Sequence, residues 1–272
     1  MENGLGYING KFVRYDELKV HVSDLGLQRG FGIFDYFREI DGKIYFLEDY
    51  LERFYTSAAG LSLPLSLSRQ QLSDLIFILV RENKYRDSGI KLILTGGPST
   101  DFQTPGEPNF IVLNVPGAPS YPGSEENGVK LLLHEFLRYL PEIKTLFYLP
   151  LVRLLPQMKA EGATDVLFHF NGRISETSRS NIFLVKHGRI ITPGTGILKG
   201  ITRKNLIQVL KGHIHVEERN VSLKELLTCH EAFITSTTRH VHPVVQVGSQ
   251  VIGSGQVGEV TKKVISLYDQ LF

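Results

Sequence analysis

The sequence predicts a protein of mixed strands and helices divided into two domains, on three observations. Its 272 residues exceed the usual size of a single domain. Short apolar stretches joined by Asn-Gly or Asp-Gly turns alternate with stretches of helical period. One run rich in Pro and Gly, Pro116-Gly117-Ala118-Pro119-Ser120-Tyr121-Pro122-Gly123, breaks that alternation, and neither a helix nor a central strand tolerates such a run. The spacing therefore predicts a domain over 1–115, a linker over 116–123 and a second domain over 124–272.

In the first domain, Asn9-Gly10 between two apolar stretches marks a hairpin. Asp41-Gly42 repeats the device between Tyr36-Phe37-Arg38-Glu39-Ile40 and Lys43-Ile44-Tyr45-Phe46. Leu47, Leu51, Phe54 and Ala58 recur at helical spacing over 48–59. Ser66 or Ser68 caps a second helix through Leu72, Leu75, Ile76 and Leu79. Strands over 90–95 and 109–115 close the domain. In the second, a strand over 128–136 precedes a helix over 148–161, where Pro150 and Pro156 count against the first half. Strands over 165–170, 181–186 and 189–192 follow, with turns at Asn171-Gly172 and His187-Gly188. A helix over 201–210, strands around 213–217 and 232–235, and a last helix from about 257 complete the chain.

Composition narrows the function classes. A hydrophobic fraction of 42% and a charged fraction of 21% match an ordinary globular protein whose core needs no staples. Net charge is +2, and no basic run exceeds Lys262-Lys263, so the basic stripe of a nucleic-acid binder is missing. Cys229, the only cysteine, excludes an intramolecular disulfide and a Cys-based zinc site. The start, Met1-Glu2-Asn3-Gly4, lacks the charged-then-apolar pattern of a signal peptide. No apolar run approaches the roughly 20 residues that span a bilayer. The expectation is a cytoplasmic enzyme or binding protein with small-molecule partners, no nucleic acid and no membrane.

The densest signal is Glu176-Thr177-Ser178-Arg179-Ser180-Asn181-Ile182-Phe183, continued by Ile191-Thr192-Pro193 and Ile197-Leu198-Lys199-Gly200-Ile201-Thr202-Arg203. This spaced set resembles the signature of the class IV (fold type IV) pyridoxal 5′-phosphate (PLP) enzymes. That family holds branched-chain aminotransferases, D-amino-acid aminotransferases and aminodeoxychorismate lyases. The resemblance reaches back to Arg53 in a Leu-Glu-x-x-Leu-x-Arg-x-x-x-Ser-Ala helix and to Lys144 in Ile-Lys-Thr-Leu. It reaches forward to Thr235-Ser236-Thr237-Thr238, so that it covers nearly the whole chain. It implies an α+β, two-domain fold type IV enzyme, with a small N-terminal α/β domain and a larger, barrel-like C-terminal α/β domain that binds PLP. It also implies a homodimer acting on amino acids and 2-oxo acids.

Each residue in the set answers a need of the cofactor. PLP requires a lysine for its Schiff base, an acid for the pyridine nitrogen and several donors for its phosphate. Of fifteen lysines, the resemblance selects Lys144, set among apolar neighbours. A free lysine titrates near ~10.4 and must fall to roughly 7–8 to act as a base. Glu176 keeps the pyridine nitrogen protonated. Gly200 and Ile201 open a helix whose N–H groups face the phosphate, Thr202 adds a hydroxyl, and Ser236 and Thr237 close the far side. Arg53 offers a planar charged partner, with an i,i+4 pair to Asp49 as its plainer role. Asn181 reads as structural. The Pro193–Thr202 stretch lacks the spacing of a nucleotide P-loop. His213/His215 and His240/His242 lack a third ligand for a metal.

The substrate pocket departs from the common family patterns. Phe34 stands where D-amino-acid aminotransferases often carry tyrosine, and Gly96-Gly97 where they use an arginine. Branched-chain enzymes typically show Phe-Glu-Gly-x-Arg, against Phe34-Asp35-Tyr36-Phe37-Arg38 here. An α-carboxylate cannot be buried unpaired, and Arg29 and Arg179 are the candidates to hold it, with Arg38 third. In family members the Arg29 loop reaches into the neighbouring subunit. Phe34 and Thr238 complete the candidate substrate contacts. The sequence favours a D-amino-acid aminotransferase, with a branched-chain aminotransferase next and the lyase third. A PLP-binding protein without turnover would not need both Lys144 and Glu176.

Overall fold

A computed structural model describes residues 4–117 and 124–272; most of the expected linker, residues 118–123, lies outside them. The chain forms two compact units, Met1–Pro119 with Ile143–Phe147, and Ser120–Glu142 with Tyr148–Phe272. The segment around Lys144 thus groups with the first unit, where a linear division of the chain assigns it to the second.

In the first unit, β1 (Leu5–Ile8) and β2 (Lys11–Arg14) form the expected hairpin. Asn9 and Gly10 both take positive φ, 46° and 91°, as a two-residue turn with the twist of its strands requires. Helix α1 (Leu25–Arg29) leads into β3 (Gly32–Ile40), α2 (Leu47–Gly60), α3 (Arg69–Asn83), β4 (Asp87–Thr95) and β5 (Phe110–Pro116). The five-stranded sheet runs β2-β1-β5-β4-β3, antiparallel throughout. Ser68 caps α3 in a capping box with Gln71. Leu51, Phe54 and Ala58 of α2 and Leu72, Leu75, Ile76 and Leu79 of α3 are buried.

The second expected hairpin is corrected. Asp41-Gly42 do turn, at φ 48° and 80°, but the return makes a single bridge, Ile40 with Lys43. Phe46 enters the left-handed region at φ 59° and starts α2 at once, so no strand length remains. The partner of β3 is β4, along its full length from Gly32 opposite Thr95 to Ile40 opposite Asp87.

The second unit holds α4 (Ser124–Asn127), β6 (Val129–Glu135), α5 (Leu149–Glu161), β7 (Asp165–Phe170), β8 (Arg173–Thr177), β9 (Asn181–Lys186), β10 (Arg189–Pro193) and α6 (Ile201–Leu210). It continues with β11 (Val216–Arg219), β12 (Val221–Ser222), α7 (Leu223–Leu227), β13 (Glu231–Ser236), β14 (His240–Val247), β15 (Gln250–Val251) and α8 (Glu259–Asp269). Its ten-stranded sheet runs β11-β10-β9-β13-β14-β6-β7-β8-β12, with β15 beside β14. The two ends of this order, β11 and β12, are separated in the chain by Asn220 alone, so the sheet must curl until its ends meet. That makes the unit barrel-like. Ile182, Leu184, Ile234, Leu131 and Leu167 fill one core cluster, and α6 and α8 cover a second around Phe183 and Phe233.

Pro156 does not interrupt α5. A proline forfeits a backbone bond, and the burial of Leu151, Leu154 and Met158 on the inner face offsets the loss. The strand around 213–217 begins only at Val216, because His213 lies in the turn after α6. The His213/His215 pair therefore shares no strand.

Candidate active site

In the first unit, Lys144 is fixed by backbone bonding to the edge of β3. The Phe34 N–H donates to the Lys144 carbonyl (3.0 Å), the Leu146 N–H to the Gly32 carbonyl (2.9 Å), and the Lys144 N–H to Ser57 Oγ (3.4 Å). Its Nζ stands 4.6 Å from the centre of the Phe34 ring. Alternation along β3 puts Ile33, Asp35, Phe37 and Glu39 on the buried face and Phe34, Tyr36 and Arg38 on the other.

That register explains Arg53. A buried carboxylate needs a cation, and fully buried Asp35 receives Nε and Nη2 of Arg53 at 2.8 and 2.6 Å. Asp35 is thus a partner that sequence reasoning missed. The signal was present, since an acid on the apolar side of an alternating strand calls for a buried base. Arg38 donates to Asp87 Oδ2 at 2.9 Å. Arg29 ends α1 exposed, its Nη1 donating to the Gln28 carbonyl at 3.0 Å.

In the second unit, Glu176 projects from β8, buried to 6% exposure. Its Oε1 accepts from Arg138 Nε at 2.9 Å and lies 2.8 Å from Nη2, while Oε2 accepts from the Leu198 N–H at 2.9 Å. Arg138 also donates to the Pro141 carbonyl. Nothing local in Leu137-Arg138-Tyr139 advertises this role; only the tertiary return of the chain creates it. Tyr148, also missed, has a phenol under the charges of Arg138, Glu176, Asp165 and Arg179. Burial pushes its phenol up to about 12.

Gly200 is the N-cap of α6, and Ile201 and Thr202 in its first turn are buried. A Cβ on Gly200 would collide with Asn181 Oδ1. That carboxamide accepts from the Gly200 N–H (3.2 Å) and donates to the Leu198 carbonyl (2.8 Å). Asn181 therefore clamps the loop that carries the helix start, and glycine leaves room for the clamp. Ser236 ends β13, and Thr237 and Thr238 form the turn into β14.

A third cluster lies around Asp165. Its Oδ2 takes Arg239 Nη1 at 2.7 Å and the Thr177 hydroxyl at 3.1 Å; its Oδ1 accepts from the Val166 N–H at 2.8 Å and from the Ser178 hydroxyl. Arg179 Nε stands 3.9 Å away, its side chain 40% exposed. One buried acid thus faces two arginines and neutralises Arg239 closely, leaving Arg179 as surplus positive charge. This pairing joins the turn after Glu176 to the Thr237–Thr238 turn.

These groups fit PLP. Glu176 is a buried carboxylate, the kind of acceptor a pyridine N–H requires, and α6 presents an N-terminus with a glycine at its cap. Among the described residues, no three His, Cys, Asp or Glu side chains group as ligands for a metal, and no helix is long and apolar enough to cross a membrane.

The comparisons agree with this chemistry. The family model for class IV amino-transferases matches residues 32–247. A Methanocaldococcus jannaschii protein named "Putative branched-chain-amino-acid aminotransferase" is 34% identical, with 94% of this chain and 92% of that one covered. A D-alanine aminotransferase of Bacillus licheniformis is 32% identical over 94% of this chain and 93% of its own length. The branched-chain amino acid aminotransferase of T.th., crystallised with pyridoxamine 5′-phosphate, superposes with a TM-score of 0.90 at 25% identity, covering 99% of this chain and 94% of that one. Class IV aminotransferases are PLP enzymes with this two-domain α+β fold, and the chain belongs to their family.

Proposed function

We propose that this chain is a PLP-dependent aminotransferase that takes the amino group of a D-amino acid, such as D-alanine or D-glutamate, and passes it to a 2-oxo acid such as 2-oxoglutarate. The two half-reactions alternate on one site (ping-pong). The observation that carries the reading is the buried carboxylate of Glu176, held from two sides by Arg138 and the Leu198 N–H. A protein that merely stored the cofactor would not need a buried acid with a dedicated counter-ion.

Bound PLP supplies a carbon that accepts amines and a ring that takes up the electron pair released at Cα. Lys144 anchors the cofactor and then carries the proton to and from Cα. Glu176 holds the proton on the pyridine nitrogen. Gly200, Ile201 and Thr202 at the start of α6 take the phosphate, joined by Arg53, Ser236 and Thr237. Arg29 and Arg179 hold the substrate carboxylate, and the surplus charge of Arg179 beside Asp165 supports that role. Arg38, already committed to Asp87, is the weaker candidate, and Phe34 and Thr238 line the pocket. A homodimer suits both the Arg29 loop and the exposed apolar side of α5 formed by Leu149, Val152 and Leu155.

The names of the M. jannaschii relative and of the crystallised T.th. enzyme favour a second reading, a branched-chain L-amino-acid aminotransferase. A half-reaction screen separates the two. The visible band of the bound cofactor bleaches with D-alanine and not with L-leucine on the first reading, and the reverse on the second. In the same assay Arg179→Ala raises the donor KM about tenfold or more, the scale of a lost charged hydrogen bond, while PLP affinity changes far less. An unchanged donor KM would remove Arg179 from the carboxylate site.

A further inference from the structure

Helix α8 packs against β13 and is held at both ends. At its start, the Val260 N–H, the Thr261 N–H and the Thr261 hydroxyl donate to the carboxylate of Glu231, the first residue of β13, at 3.1, 2.7 and 2.7 Å. A Cβ on Gly258, the N-cap, would run into that carboxyl. In its last turn stands Tyr268, 2% exposed and packed in the core cluster of Phe183 and Phe233. The Tyr268 ring meets His240 and Phe272 edge to face, with centres 5.8 and 5.6 Å apart. Phe272 in turn stacks on His240 at 4.7 Å. The tyrosine is thus fixed by its helix, by the core and by two further rings.

Two pieces of the candidate phosphate site meet on this one side chain. The Tyr268 phenol is hydrogen-bonded to the side chain of Thr202 in the first turn of α6. Its ring packs on His240, which closes the turn carrying Thr237 and pairs with Ser236. His240 takes φ 51° there, a conformation uncommon outside glycine. A threonine hydroxyl has one proton and two lone pairs. If Thr202 gives that proton to the phenol, none is left for an anion; if it accepts from the phenol, its own proton can face one. The phenol is the more acidic of the two groups and hence the natural donor. We propose that Tyr268 is a positioning residue for the cofactor phosphate: its phenol donates to Thr202 Oγ1 and turns the Thr202 proton toward a phosphate oxygen. The inference rests on the PLP-dependent reading above and concerns one contact within it.

The test prepares wild type, Tyr268→Phe, Thr202→Val, Thr202→Ser and Tyr268→Phe/Thr202→Val as holoenzymes. Each is dialysed to equilibrium, and the PLP dissociation constant is read from the visible band. The same proteins reconstituted with pyridoxal, which lacks the phosphate, give the constant for the ring and aldehyde alone. Tyr268→Phe keeps the ring against His240 and is expected to raise the PLP constant about three- to tenfold, the scale of one hydrogen bond, with the pyridoxal constant unchanged. Thr202→Val shows a selective loss at least as large, and Thr202→Ser, which keeps the hydroxyl, restores most of it. Tyr268→Phe adds nothing further to Thr202→Val, because the two hydroxyls act as a unit. A purely structural role would lower the midpoint of a urea titration and leave the ratio of the two constants as in wild type; that outcome overturns the proposal. Additive losses in the double variant, or an unchanged PLP constant in Tyr268→Phe, overturn it too. Any of these alongside a wild type that binds PLP sinks this inference alone. A wild type that forms no visible band with PLP sinks the PLP-dependent reading with it.

Discussion

Asp165 and Arg239 are almost completely buried, and each is the other's principal countercharge. Removing one member of such a pair strands a charge in a medium that solvates it poorly, which costs about 3–5 kcal/mol. Arg239→Met is therefore expected to lower the unfolding free energy by that amount in a urea titration, and Asp165→Asn/Arg239→Met by less, because neither buried member of the pair then keeps a charge and the remaining Arg179 is partly solvated. Equal losses would mean that packing and not charge is at stake. Single residues were legible where a chemical demand is specific. The signature running from Glu176 to Thr202 marked the acid, the helix start and the glycine. Their partners were not legible, because Arg138, Tyr148, Asp165 and Arg239 have no local pattern and meet the marked residues only through the fold. Asp35 is the intermediate case, readable from strand alternation once β3 is recognised.

Among the elements, α7 shows how a short helix is held. Ser222 caps it, accepting from the Glu225 N–H at 3.1 Å, while Glu225 Oε2 accepts from the Ser222 N–H at 3.0 Å and Oε1 pairs with Arg219 at 2.8 Å. The Arg219 hydrogen bond is the main cause, and the Ser222 backbone the next, of a Glu225 carboxyl lowered to about 2 from 4.5. A depressed acid stabilises the folded state above its unfolded pKa and loses that effect as pH falls through the folded one. Both groups are partly solvated, so the contribution stays at the scale of a surface pair, up to about 1 kcal/mol. Glu225→Gln is thus expected to melt slightly below wild type at neutral pH, with the gap closing between pH 4.5 and about 2; a gap independent of pH would rule the ion pair out. Elements with strong period, such as α2 and α6, and α3 with both period and a cap, were readable. Strand β14 was not, since Pro243 pairs with Phe233 inside it and proline in a central strand argues against one. Strand β8 was missed because Ser175, Glu176 and Thr177 are polar, although Glu176 and Thr177 are buried for their interactions.

For the whole molecule, a two-domain fold was anticipated by length, but the docking of Ile143–Phe147 on β3 was not, because a pairing between distant segments leaves no mark in either. Assembly provides the prediction at this scale. If Arg29 serves the partner's site, subunits carrying Arg29→Ala and subunits carrying Lys144→Ala, each inactive alone, recover activity when unfolded and refolded together. Half of the randomly formed dimers are mixed, and each mixed dimer holds one complete site, so roughly a quarter of wild-type activity is expected. No recovery would confine Arg29 to its own subunit.

The junction at Asn220 has a further consequence. A sheet normally ends in two strands whose outward N–H and C=O groups can recruit a strand from another chain. Here the terminal strands β11 and β12 are consecutive in the chain, and Arg219 of one reaches Glu225 just beyond the other. The two end strands of the larger sheet are therefore tied to each other at that seam by the chain and by this ion pair. In the smaller sheet, Ile143–Phe147 lies along part of the β3 edge. The segment that carries Lys144 thus also covers a surface on which misassembly would begin, and substitutions there should be judged for solubility as well as for the role proposed for that lysine.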